Sequence, residues 1–115
     1  MNAAAQLSFS ADCMQLSGSL DFHSVVPLQR EGDAWLREQA PASCRLDMSA
    51  VTRCSSAGTT LLLAWLRTAT AAGKSLRVEH PPEALIALLQ LAGLDKLLKD
   101  VIPAAGPQDG GNGPA

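Results

Sequence analysis

The stretch from Leu46 to Leu63 constrains the fold most, because it leads from a buried-strand pattern through small polar residues straight into a helix pattern. Residues 45–48 are predicted to form a short buried strand, and the residues after it are predicted to turn. Ser55 and Ser56 fall at the start of the helix, where unpaired backbone N–H groups and the positive end of the helix dipole attract oxygen or phosphate. The pattern therefore predicts a polar corner that can be bound or modified.

Upstream of this corner, the sequence predicts a β-hairpin and a helix. Apolar residues nearly alternate over 7–10 and 14–20, which is typical of two paired strands. Ser24 is a candidate N-cap for the helix that follows, and Pro41 ends that helix. Gly32 lies in its middle, where glycine costs about 1 kcal/mol relative to alanine, so we expect the helix to bend or split there.

Downstream of the corner, helical and strand patterns alternate. They predict a helix over 57–72, a strand over 75–79, a helix between Pro82 and Gly93, and a short last helix over 94–98. The complete order predicts an α/β domain over 1–102, with a mixed four-stranded sheet, parallel later strands and helices mainly on one face. Residues 103–115, which are rich in glycine and proline, are predicted to be a disordered C-terminal tail.

Size and charge restrict the function classes. A chain of 115 residues, 47% of them apolar, is sufficient for one domain with its own core. The formal net charge of −2 argues against direct binding to nucleic acid or to anionic lipid surfaces. No segment reaches the roughly 18 to 20 consecutive apolar residues of a membrane span, and the start of the chain lacks the pattern of a signal peptide. We therefore expect no direct membrane insertion.

The cysteines and histidines form no recognisable chemical motif. The cysteines are odd in number and lack short paired spacing, at Cys13, Cys44 and Cys54. This argues against a disulfide framework and a zinc site, and favours reduced thiols in the cytosol. An enzyme would need Cys54 or Ser56 as nucleophile with His23 or His80 as base. Without a phosphate loop, paired metal ligands or a nucleophile elbow, we predict no enzymatic activity, no metal and no cofactor.

One side of the helix over 57–72 carries small polar side chains around a leucine. At about 100° per residue, the side chains expected to face the sheet are Leu61, Leu62, Trp65, Leu66, Ala69 and Ala72. Leu63 falls on the opposite side, together with Thr59. A protein partner can cover such a surface without displacing long charged side chains. We predict a partner-binding surface, which we call the hydroxyl patch, at Ser55, Ser56, Thr59, Thr60 and Leu63.

The serine pair has two interpretations that stay open at this point. One hydroxyl can be the helix N-cap, which contributes about 1 kcal/mol to stability. The other interpretation is partner contact or phosphorylation, with Ser56 as the candidate, because a phosphate would meet helix N–H groups and add negative charge to the patch. Asp47 is either a carboxylate directed toward this corner or an ordinary turn-forming or solvated side chain.

Three separated motifs resemble one known family. Leu46-Asp47-Met48-Ser49-Ala50-Val51 followed by Ser55-Ser56-Ala57-Gly58 is similar to the signature of STAS domains, the sulfate transporter and anti-sigma factor antagonist family. Leu16-Ser17-Gly18-Ser19-Leu20-Asp21 resembles the family's second strand, and Leu91-Ala92-Gly93-Leu94-Asp95-Lys96 resembles the end of its C-terminal helix. The resemblance covers about residues 5–102 and implies a STAS-like α/β fold.

Within this family, Val25-Val26-Pro27-Leu28 and the compact length look most like the MlaB-type subunit of the Mla phospholipid-transport complex. This resemblance implies a non-catalytic cytoplasmic subunit that binds the ATPase subunit of an inner-membrane ABC transporter, and so lies at that membrane through its complex. It implies a role in phospholipid transport and outer-membrane lipid asymmetry. The position that matches Ser56 belongs to the ATPase-binding surface of Mla-type subunits.

The same position supports an alternative. In related anti-sigma factor antagonists the residue that matches Ser56 is phosphorylated, so the alternative is an antagonist regulated by serine phosphorylation, with an anti-sigma factor kinase as partner. This sequence departs from the family at Ser55, where an aspartate is usual. Ala57 and Thr59 also replace the commoner serine and leucine.

Overall fold

The computed structural model describes residues 4–94 and Lys96. In this part of the chain the elements are β1 (Gln6–Ser10), β2 (Cys13–Leu20), α1 (Val25–Glu38), β3 (Ser43–Cys54), α2 (Ser56–Ala71), β4 (Ser75–Glu79) and α3 (Glu83–Leu91). The predicted hairpin, the helix over 57–72 and the strand over 75–79 are confirmed to within one residue at most boundaries. The helix predicted over 94–98 lies mostly outside the described residues, as do the domain boundary at 102 and the predicted tail.

The four strands form one mixed sheet in the order β1-β2-β3-β4. The hairpin pairs β1 with β2 antiparallel, whereas β2 with β3 and β3 with β4 are parallel. Each parallel pair is connected by a helix, which is the usual crossover in α/β proteins. One face of the sheet is buried under the helices through Met14, Leu16, Leu20, Cys44, Leu46, Met48, Leu76 and Val78. The structure thus has the predicted α/β architecture.

Strand β3 is much longer than the predicted strand over 45–48. It continues to Cys54, and its pairing with β2 is irregular at two places, between Gln15 and Ser17 and between Gly18 and Ser19. Such bulges interrupt the alternation of inward and outward side chains. Beyond Met48 the partly buried positions are three residues apart, at Val51 and Cys54. The prediction ended the strand too early because it took the small polar residues after Met48 as the start of a turn.

Helix α1 differs from the prediction at its start and at its centre. Ser24 occupies the N-cap position, but its hydroxyl makes no capping bond. The carboxylate of Asp21 accepts instead from the backbone N–H groups of Ser24 and His23, both at 2.9 Å, and these bonds lower the pKa of Asp21. The helix continues through Gly32 without a break, so it does not split there. A Cβ on Gly32 would overlap Nε1 of Trp65, so glycine permits close packing of the two helices there.

Helices α1 and α2 run side by side in the same direction, held by two polar contacts. Nε1 of the buried Trp65 donates to the carbonyl oxygen of Gln29 at 3.3 Å. One turn further along both helices, the Thr68 hydroxyl donates to the buried carboxylate of Asp33 at 2.7 Å. A buried carboxylate needs such a partner, so these contacts fix the rotation of α2 about its axis. That rotation decides which side chains α2 presents outward.

Candidate partner-binding site

The polar corner is built where β3 passes directly into α2. Ser55 is extended, with φ −92° and ψ −175°, and its hydroxyl oxygen accepts from the N–H of Ala57 at 3.2 Å. The same hydroxyl donates to the carbonyl oxygen of Leu20 at 3.2 Å, at the end of β2. Of the two predicted roles for the serine pair, Ser55 therefore has the capping role. It also ties the start of α2 to the neighbouring strand.

Ser55→Ala is expected to lower the free energy of unfolding by about 1–2 kcal/mol, because it removes the cap and leaves the Ala57 N–H without its acceptor. Denaturant unfolding measures this loss. Ser56→Ala is the matched control, since the hydroxyl of Ser56 makes no hydrogen bond within the described residues. A similar stability for the two variants would contradict the assignment of Ser55 as the cap.

Ser56 is the first residue of α2, and its side chain is exposed. Thr60 is also exposed, one turn further along, and Thr59 and Leu63 are half-buried. The outward row continues through the exposed Arg67 toward the end of the helix. The five residues of the hydroxyl patch are therefore brought together on the first two turns of α2. Their role in binding a partner stays a prediction.

The opposite side of α2 is the side that builds the core. Leu61, Leu62, Trp65 and Ala69 are buried as predicted, whereas Leu66 and Ala72 are only half-buried. The helix ends at Ala71, and Gly73 follows with a positive φ of 72°. The helical period thus separates an inward apolar side from an outward polar side along the whole element.

The hydroxyl of Thr59 has an environment that the helical period alone does not reveal. The residue is half-buried, yet its hydroxyl oxygen is fully buried and has no hydrogen-bond partner among the described residues. A helical threonine can donate to the carbonyl oxygen four residues earlier. At Thr59 this is the carbonyl oxygen of Ser55, which accepts from the N–H of Gly58 at 2.9 Å. Thr59 therefore holds a polar group inside the protein without pairing it.

Among the described residues, no hydrogen bond joins Cys54 or Ser56 to His23 or His80, the nucleophiles and bases that an enzyme would need at this corner. Burial raises the pKa of the Cys54 thiol, which disfavours the reactive thiolate. Nδ1 of His80 lies 3.3 Å from Asp47, on the polar face of the sheet. Asp47 also accepts from the N–H of Ser49 at 2.9 Å, so its half-buried carboxylate is paired along the strand and is not directed toward Ser55 and Ser56. The idea of Asp47 facing the corner is wrong because β3 continues seven residues beyond it.

Two exposed apolar side chains beside the corner were missed by the sequence analysis. Phe22 is 65% exposed and Val26 is 53% exposed, at the start of α1. The hydrogen bond from Ser55 to Leu20 brings this part of the chain next to the start of α2. The signal was present for Val26, because Val25 takes the inward position in the helical period and its neighbour must then point outward.

Three general features of the described residues bear on the kind of site. A cavity of about 360 Å³ lies at the corner, lined by Ser19, Leu20, Asp21, Arg53, Cys54 and Ser55. No group of three histidine, cysteine or acidic side chains gathers there or elsewhere in 4–94 in a way that would hold a metal ion. None of the helices described has the length and apolar character needed to cross a bilayer.

Solved structures similar to this chain include those of anti-sigma factor antagonists. The anti-sigma factor antagonist SpoIIAA in its unphosphorylated form is 21% identical, with a TM-score of 0.65 over 81% of this chain and 84% of that chain. The Bacillus cell fate determinant SpoIIAA in its phosphorylated form is 20% identical, with a TM-score of 0.62 over 81% and 86%. An anti-sigma factor antagonist from Mycobacterium paratuberculosis is 21% identical, with a TM-score of 0.58 over 87% and 91%. At these identities the likeness shows a shared fold.

The family itself is identified by sequence. No curated protein matches the chain. The family model described as "Mlab, STAS domain" matches residues 3–99, which is most of the chain and includes every element described above. STAS domains are in general regulatory or accessory domains, and no enzyme family is indicated. The chain therefore belongs to the MlaB-type STAS domain family.

Proposed function

We propose that this chain is the cytoplasmic STAS subunit of an inner-membrane ABC transporter for phospholipids. It binds the transporter's ATPase subunit through the hydroxyl patch and supports the assembly and activity of that subunit. The observation that carries this proposal is the match to the MlaB-type family over residues 3–99. The outward position of Ser56 and Thr60 on α2 supports the choice of surface.

The chemistry of the patch suits a protein partner. Short hydroxyl side chains lose little conformational entropy when they are covered, and Leu63 supplies an apolar centre among them. The exposed Phe22 and Val26 extend the apolar area toward the start of α1. A subunit that binds only one conformation of the ATPase shifts its population toward that conformation by mass action. No reaction by this chain is needed for such an effect.

Ser56→Asp is expected to weaken binding to the ATPase by about tenfold or more, because it places an unpaired carboxylate in the contact. Titration of the purified ATPase subunit with the chain measures the dissociation constant. An acidic residue in the first turn of α2 favours the helix by about 0.3–1 kcal/mol, so loss of binding would not come from unfolding. Ser56→Ala should change affinity much less.

Ser10→Asp is the matched control for the charge. Ser10 is exposed at the end of β1, at the hairpin end of the sheet, whereas α2 starts at the other end of β2 and β3. This variant should bind the ATPase like the natural chain. Unchanged affinity for Ser56→Asp in the same titration would refute the proposed contact.

A second candidate function is that of an anti-sigma factor antagonist. It is favoured by the fold shared with SpoIIAA and by the exposed hydroxyl of Ser56 at the positive end of α2. Incubation with a candidate anti-sigma factor kinase, followed by mass spectrometry, tests it, with Ser56→Ala as the variant that must not be modified. A permease, an ATPase and a periplasmic lipid-binding protein encoded beside this chain would favour the transport function instead.

A further inference from the structure

Among the described residues, the hydroxyl of Thr59 is the one buried polar side-chain group of the hydroxyl patch that has no hydrogen-bond partner. Ser55 uses its hydroxyl as donor and as acceptor, and Ser56 and Thr60 are exposed, where water can pair them. The Thr59 oxygen has neither solvent nor a protein partner among residues 4–94. The residue nevertheless reaches the surface, since it is only half-buried as a whole. The surface that Thr59 exposes is therefore not its hydroxyl.

Such an arrangement is unfavourable in the free domain. A buried hydroxyl without a partner loses its hydrogen bonds to water, whereas an apolar group of the same shape would be neutral or stabilising. Valine has that shape and differs from threonine only at the hydroxyl. Natural sequences violate this rule mainly at functional sites, where another requirement outweighs stability. The position of Thr59 within a candidate binding surface identifies that requirement as contact with the partner.

We propose that the Thr59 hydroxyl makes its hydrogen bond only in the complex, with a polar group of the ATPase that covers the hydroxyl patch. This inference rests on the proposed function. Threonine in a helix has two accessible χ1 rotamers, and a rotation of about 120° about Cα–Cβ moves the hydroxyl out of its buried position and brings the methyl group or Hβ there. The hydroxyl is then free to pair with a polar group of the partner, and no polar atom is left in the buried position. Thr59 thereby favours a partner with a hydrogen-bonding group opposite it over one with an apolar surface.

Thr59→Val tests this proposal through two effects of opposite sign. In the free chain, the variant is expected to raise the midpoint of thermal unfolding by roughly 4 °C or more. In titration with the purified ATPase subunit, it is expected to raise the dissociation constant by roughly threefold to tenfold. Thr59→Ser keeps the hydroxyl and is the matched control, with binding expected within about twofold of the natural chain.

The combination of higher stability and weaker binding supports the proposal. If the role of Thr59 were purely structural, its substitution would change stability and affinity in the same direction. Tight binding by Thr59→Val overturns it. So does an unchanged unfolding midpoint, since the hydroxyl is then already paired in the free domain. Thr59→Ala lacks the same hydroxyl and serves if the valine variant does not fold. Failure of the proposed function is distinguishable, because the natural chain itself would then show no binding to the ATPase subunit. Normal binding by Ser56→Asp would refute the proposed contact surface, and either result overturns the inference.

Discussion

Trp65→Ala is expected to lower the free energy of unfolding by about 3–5 kcal/mol. The indole is fully buried, its Nε1 donates to the carbonyl oxygen of Gln29 at 3.3 Å, and its ring lies against Gly32. Truncation leaves a cavity between α1 and α2 that the adjacent backbone cannot fill. Because small domains have only about 5–15 kcal/mol of stability in total, this loss leaves the fold marginal. Urea unfolding followed by circular dichroism measures it.

Leu63→Ala is the matched control for the truncation of Trp65. Leu63 lies on the same helix but is half-buried on the outward side, so its truncation should cost about 1 kcal/mol or less. Comparable losses of unfolding free energy for the two variants would mean that Leu63 faces the core as much as Trp65 does. The Leu63 variant also separates folding from binding, because it removes the apolar centre of the hydroxyl patch while the core stays intact.

Gly32→Ala is expected to destabilise the domain by about 1–3 kcal/mol through overpacking. The added Cβ would overlap the rigid, buried ring of Trp65, so either the ring or the helix must shift. Replacement of glycine by alanine within a helix usually stabilises it, because alanine is the better helix former by about 0.5–1 kcal/mol. The expected change at Gly32 is therefore opposite in sign. The change in the urea midpoint at constant m-value reports the effect.

Two further variants establish that the contact with Trp65 is the cause. Ala34 is exposed on the same helix, and Ala34→Gly should cost about 0.5–1 kcal/mol, in line with ordinary helix preference. Trp65→Phe removes the indole atoms nearest to Gly32, so Gly32→Ala should cost less in that background than in the natural chain. Strictly additive losses in the double variant would contradict the packing explanation.

Much of the fold could be predicted because its signals are local. Alternating apolar residues mark β2 and β4, and the glycine that follows α2 marks its end. The errors lie where distant parts of the chain decide the outcome. Gly32 looked like a weak point in α1, and only its contact with Trp65 explains it. Strand β3 looked short because its apolar run gives way to small polar residues after Met48, whereas pairing with the distant strand β2 continues it to Cys54.

The candidate site could also be predicted in part from local sequence signals. The helical period was sufficient to place Ser56 and Thr60 outward on α2. It could not decide which serine caps the helix, because that depends on the acceptor that Leu20 offers from a neighbouring strand. It also could not reveal the inward hydroxyl of Thr59, since the choice between two χ1 rotamers depends on the surrounding atoms.

Helix α2 has an inward side that holds the domain together and an outward side that is free, which has a consequence for mutational scanning. Under the proposed function, single substitutions along the helix should give two oscillating profiles, one of melting temperature and one of affinity for the ATPase subunit. The largest changes in melting temperature should fall near Leu61 and Trp65, and the largest changes in affinity near Ser56 and Leu63. The two profiles should share the helical repeat of about 3.6 residues and be displaced from each other by about half a repeat.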